Sequence, residues 1–143
     1  MTRIDFYSTD QSRLEVACKL AIKALSHELA VTIFAPDDSV ARAMDRLLWT
    51  YPATGFIPHC YSSDRHAAHT PVIIAPALDN SGPDELLVNL ADTIPAVFGR
   101  YRRLIEIVSS TDGDQAAARN RWRHYKERGY EVNHVNLSKG RTK

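Results

Sequence analysis

The chain has 143 residues, 44% hydrophobic and 24% charged, which suits one globular domain with a sizeable core and excludes extensive disorder. No apolar run approaches the ~20 residues of a membrane span, and the opening MTRIDFYSTD lacks the apolar core of a signal peptide. Net charge is +1, yet residues 1–99 hold 7 Lys and Arg against 12 Asp and Glu, while residues 100–143 hold 11 against 5, so the basic end suggests a local acidic partner.

Residues 3–7 (RIDFY) set Ile4 and Phe6 between polar neighbours and read as a strand. Residues 8–12 are a polar turn with N-cap candidates. In residues 13–29, Leu14, Cys18, Ala21, Ile22, Leu25 and Leu29 recur at spacings of three and four, one apolar stripe on a helix. Residues 30–35 (AVTIFA) are β-branched and aromatic, a buried strand closed by Pro36 and Asp37. Asp37 or Asp38 can cap a second helix with Val40, Ala43, Met44, Leu47 and Leu48 on its apolar face.

Pro52, Gly55 and Pro58 break residues 49–59 into loop or short strand. Residues 62–70 read as a polar loop and 72–75 (VIIA) as a strand. Residues 85–91 are a buried strand or a short helix, followed by a helical turn at 94–99. Residues 103–109 read as a strand. Residues 111–129 predict a helix of good formers that Gly129 terminates. Residues 130–137 alternate as a final strand, and 138–143 form a polar basic tail expected to fray. The order β-α-β-α-β-β-β-α-β points to an α/β sheet with helices on both faces.

Such a sheet first suggests a nucleotide site. The first strand-to-helix turn, Tyr7 to Ser12, has no glycine to let backbone approach a pyrophosphate, and no Walker A motif occurs. His59, Cys60, His66 and His69 are ligand types for zinc, but their spacing matches no standard site and Asp64 is the one obvious supporting carboxylate. Two cysteines in all exclude a disulfide scaffold and fit a reducing cytoplasm. Cys18 lies on an apolar stripe and is expected to be buried and inert. Cys60 and His59 are adjacent and would point to opposite faces of a strand. No catalytic constellation emerges.

Two segments suit binding instead. Arg119, Arg123 and Lys126 fall at i, i+4 and i+7 of the last helix, with Trp122 and Tyr125 beside them. This is either a solvated basic face whose aromatics enter the core, or a receptor for an acidic aromatic peptide. Sequence leaves open whether its anion is a carboxylate or a phosphate. The second segment, residues 47–59, concentrates Trp49, Tyr51, Phe56 and Ile57 in a broken stretch that caps the core or meets a partner.

Three segments together resemble the chi subunit family of bacterial DNA polymerase III. They are the opening strand with Phe6-Tyr7, the run Asp45-x-x-Leu48-Trp49-x-x-Pro52-x-x-x-Phe56-x-Pro58-His59, and Ala118-Arg119-x-Arg121-Trp122-Arg123-x-Tyr125-Lys126-x-x-Gly129-Tyr130. The resemblance implies a single Rossmann-like domain over residues 1–137, with a mostly parallel sheet and no nucleotide-binding loop, metal or cofactor. It implies a non-catalytic cytoplasmic accessory subunit of the replisome, a monomer or a heterodimer with the psi subunit. Psi tethers such a subunit to the clamp loader, and Trp49, Pro52 and Phe56 fall on its psi-facing positions. The acidic, phenylalanine-ended tail of single-stranded-DNA-binding protein would meet Arg119, Trp122, Arg123, Tyr125 and Lys126, so DNA is reached indirectly. Gln115 stands where a basic residue is often found, and the loop 62–70 and the basic tail have no counterpart. Two other classes compete: a small nucleotide-binding enzyme, and a stand-alone nucleic-acid binder using the basic helix. An acidic remainder would repel a duplex laid across the domain.

Overall fold

Runs of β-branched and aliphatic residues too short for helices, such as VTIF, VIIA and LLVN, are buried on both faces, the pattern of a parallel sheet. The computed structural model describes residues 1–51 and 57–137. Its strands are β1 (Arg3–Ser8), β2 (Val31–Phe34), β3 (His59–Tyr61), β4 (Val72–Ala75), β5 (Leu86–Asn89), β6 (Arg103–Val108) and β7 (Val132–Asn136). Its helices are α1 (Arg13–Ser26), α2 (Asp38–Thr50) and α3 (Asp112–Glu127), with short 3-10 turns at Ala67–His69 and Phe98–Arg100. The strands form one sheet in the order β3-β4-β2-β5-β6-β1-β7, and every pairing is parallel.

The α/β class and the helices on both faces agree with the sequence reading. The sheet is parallel throughout rather than mostly so. Residues 59–61 supply a short edge strand, and residues 85–91 resolve to strand, not helix. The helical turn expected at 94–99 sits later, at Phe98–Arg100. Pro52 and Phe56 lie outside the described residues, as does the tail 138–143.

α1 and α2 pack on one face, burying Val16, Ala17, Cys18, Ala21, Met44 and Leu48 against Val31, Ile33, Ile74, Val88, Ile105 and Ile107. α3 packs on the other, over Ile4, Phe6, Leu87, Leu104 and Val132. Each large aliphatic side chain so buried contributes about 1.5–3 kcal/mol relative to exposure. Cys18 is inert for the same reason: burial, aided by the Glu15 charge, pushes its thiol up to about 12. Because β1 lies between β6 and β7, the β6-α3-β7 crossover carries α3 across β1.

α1 ends three residues before Leu29, and the reason is visible in its cap. The Leu29 amide donates to the Ala24 carbonyl and the Glu28 amide to that of Leu25, which turns the chain out of the helix. This turn needs a left-handed residue, and Glu28 takes it at φ 59°. α3 closes with the same pair of bonds, from Tyr130 to Tyr125 and from Gly129 to Lys126, with Gly129 at φ 87°. One cap therefore uses the residue type that fits and the other does not. Gly129→Ala should cost about 1 kcal/mol, although no atom obstructs the added methyl. Glu28→Gly should gain about 0.5 kcal/mol, the relief being partly offset by a floppier unfolded chain. Urea unfolding of both variants checks the opposite signs.

Candidate functional site

α3 starts on Thr111, whose hydroxyl accepts from the Asp114 amide, and Asp114 in turn accepts from the Ser109 amide at 2.6 Å. From there the helix divides cleanly. Ala118, Arg121 and Tyr125 are buried, while Arg119, Arg123 and Lys126 face solvent. The buried arginine is the unexpected member, and the sheet explains it.

Glu106 of β6 points into the apolar layer under α3 and is wholly buried. Its Oε1 accepts from Arg121 Nε at 3.1 Å and Asn89 Nδ2 at 2.9 Å, and its Oε2 from the Tyr125 hydroxyl at 2.7 Å. Arg121 also donates to the Asp92 carbonyl at 2.8 Å, and Asn89 to that of Thr93 at 3.0 Å. Burial pushes the Glu106 carboxyl up from its ordinary range, and the Arg121 charge and the donors pull it back. Burial, with the Glu106 charge added, raises the Tyr125 hydroxyl far above its ordinary range. The network bolts α3 to the sheet and to the loop after β5.

Beside the bolt lies a groove. α3 covers Phe6 but not the ends of β1, β6 and β7. A cavity of about 610 Å³ opens there, floored by Phe6, Val108, Ala118 and Trp122. Gln115 and Arg119 edge it from the helix, and Ser8, His134 and Asn136 from the strands. Trp122 leans on Phe6 with ring centroids 5.1 Å apart, and Phe6 in turn meets Tyr125 at 6.0 Å. An apolar trough with a guanidinium on its rim can take an aromatic side chain and an adjacent carboxylate together.

Of the residues singled out on this helix, Arg119 and Trp122 reach the groove. Arg123 and Lys126 extend the exposed basic face beyond it, and Arg123 lies back toward Asn120 at 3.4 Å. Tyr125 is a core residue, its hydroxyl engaged by Glu106, so it supports the groove from below rather than lining it. Sequence reading missed Val108, Ser8, His134 and Asn136. The alternation of β1 put Phe6 on one face, but nothing local signalled that β1 and β7 would be neighbours.

The second segment sits at the far edge of the sheet. Trp49, in the last turn of α2, is 55% exposed, and its ring stands 4.8 Å from that of His59 in an edge-on arrangement. His59 is no free ligand: its Nδ1 donates to the Ile57 carbonyl at 2.6 Å and its Nε2 faces Asp45 at 3.1 Å. It ties the start of β3 to α2. Among the described residues, no three His, Cys, Asp or Glu side chains gather as a metal site. At the β1–α1 turn the Ser12 hydroxyl accepts from the Leu14 and Glu15 amides, donors that a phosphate would otherwise need. No helix among the described residues is long and apolar enough to cross a membrane.

Comparison with known proteins matches these features to one family. The family model described as "DNA polymerase III chi subunit, HolC" matches residues 1–133. The chain is 34% identical over 134 residues to the DNA polymerase III subunit chi of Pseudomonas aeruginosa, covering 91% of this chain and 93% of the relative. It is 25% identical over 120 residues to that of Escherichia coli K12, covering 83% and 82%, and 27% identical over 124 residues to that of Haemophilus influenzae, covering 86% of each. The chain belongs to the DNA polymerase III chi subunit family, accessory and non-catalytic subunits in DNA replication.

Stability of the groove's scaffold should follow the ion pair. Arg121→Met leaves a buried carboxylate without its counter-charge and should cost about 3–5 kcal/mol. Adding Glu106→Leu removes the orphaned charge and should recover a large part of that loss. Urea unfolding of the two single variants and the double variant measures the coupling.

Proposed function

We propose that this member of the chi family is a bridge within the replicative polymerase. One surface binds the psi subunit, which joins it to the clamp-loader complex. The other holds the acidic C-terminal tail of single-stranded-DNA-binding protein, so contact with DNA is indirect. The groove beside α3 carries the reading: an aromatic-lined trough of about 610 Å³ with Arg119 on its rim fits a peptide that ends in phenylalanine among carboxylates. Arg123 and Lys126, exposed on the same helix, would extend the attraction to acidic residues upstream in that tail.

The psi surface is assigned to Trp49, Pro52 and Phe56. The exposure of Trp49 supports it, and so does the geometry of the sheet. α2 packs on β3 and β4, and α3 packs on β6 and β7. β3 and β7 are the two edge strands, and the helices lie on opposite faces. The six strand spacings between those edges span on the order of 25–30 Å, enough for two partners to sit without collision.

Two titrations test the bridge. Arg119→Ala should weaken an acidic, phenylalanine-ended peptide by about tenfold or more, the scale of one charge-assisted contact, and leave psi affinity unchanged. Trp49→Ala should do the reverse, costing about 2 kcal/mol of psi binding. Calorimetry alongside a melting curve reads both. Equal loss of both partners in either folded variant overturns the two-surface bridge.

A further inference from the structure

The strand-side wall of the groove differs chemically from its helix side. In the β1–β7 register Phe6 is level with His134 and Ser8 with Asn136. Phe6 forms the floor, so the alternation of β7 brings His134 and Asn136 to the same face. His134 is exposed, and its Nε2 lies 2.9 Å from the Ser8 hydroxyl oxygen. Arg119 lines the same cavity from α3 and is the one charged group among the described residues that do so. The other polar lining groups, Gln115 of α3, Ser8 of β1 and Asn136 of β7, are neutral. No carboxylate stands among these described lining residues, so none of them offers a charged His134 a counter-ion.

We propose that His134, paired with Ser8, is a second anion-binding group of this groove, so that affinity for an acidic, phenylalanine-ended peptide rises as pH falls from about 8 to about 6. The inference rests on the peptide-groove reading and adds its regulation. While Nε2 carries no proton, the Ser8 hydroxyl donates to it and turns only lone pairs to the groove. In an imidazolium both ring nitrogens donate. Nε2–H then donates to Ser8 Oγ, the hydroxyl proton is released to meet a carboxylate, and the ring charge joins that of Arg119. Carboxylates of the peptide stay ionised across this range, so the change lies in the protein.

The test is calorimetric titration of the full chain with a synthetic acidic peptide ending in phenylalanine, at fixed ionic strength, near the two pH limits. The unsubstituted protein should bind roughly fivefold tighter at the lower pH, the difference between a neutral and a charge-assisted contact. His134→Gln keeps a neutral hydrogen-bonding side chain at an exposed position. It should bind with the high-pH affinity at both limits. An unsubstituted protein that does not respond to pH overturns the role of His134 and leaves the groove reading standing. So does a response that persists in His134→Gln, which would place it elsewhere, as at His124. Absence of binding at both limits overturns the groove reading, and this inference with it.

Discussion

The buried pair of Glu106 and Arg121 constrains everything around it. Two charges taken out of water are costly, and their attraction repays the cost only when the remaining lone pairs and protons are satisfied. Here the carboxylate accepts three donors and the guanidinium reaches a backbone carbonyl as well, so of the pair's side-chain nitrogens and oxygens all but the buried Arg121 Nη2 are engaged. An apolar pair could have filled the volume, but without the directional bonds that name a partner for each atom. The bonded set does name them. It fixes which turn of α3 meets which residue of β6, and hence where Trp122 meets Phe6 and where Arg119 emerges.

That position also decides where the fold opens a groove. In an open α/β sheet ligands usually bind beyond the carboxyl ends of the strands. Here the turn after β1 is closed by its own side chains, with Ser12 and Thr9 accepting from nearby amides. The groove does lie at the carboxyl ends of β1, β6 and β7, at Ser8, Val108 and Asn136, but on the face under α3 rather than at the turn after β1.

Charge follows the same division. The first hundred residues are net acidic and the rest net basic, and the exposed cations of α3 gather by one edge of the sheet. Trp49 and the His59–Asp45 tie lie by the other, where an exposed aromatic ring ends α2. For the proposed bridge, such separation means that neither surface competes for the other's ligand.

Local physics made much of this legible in the sequence. The three-and-four spacing of α1, the Thr111 and Gly129 ends of α3, the β-branched runs and the exposed Arg119, Arg123 and Lys126 all follow from periodicity and capping, which act over a few residues. The left-handed Glu28 shows the limit of that reasoning, because the last apolar residue of the stripe, Leu29, serves the cap rather than the helix. Tyr125 and Arg121 show a second limit. The sequence reading set Tyr125 beside the exposed basic face, and only a carboxylate on β6, fifteen residues before Arg121, explains why both turn inward. His134 and Ser8 are 126 residues apart and meet because β7 pairs with β1. Local pattern sufficed for most elements and for the basic helix, but it left residues 85–91 open between strand and helix and set Ile22 on the buried stripe of α1, where it is exposed. Strand order, the buried ion pair and the groove were decided by tertiary structure, because parallel strands pair at distances along the chain that no local pattern encodes.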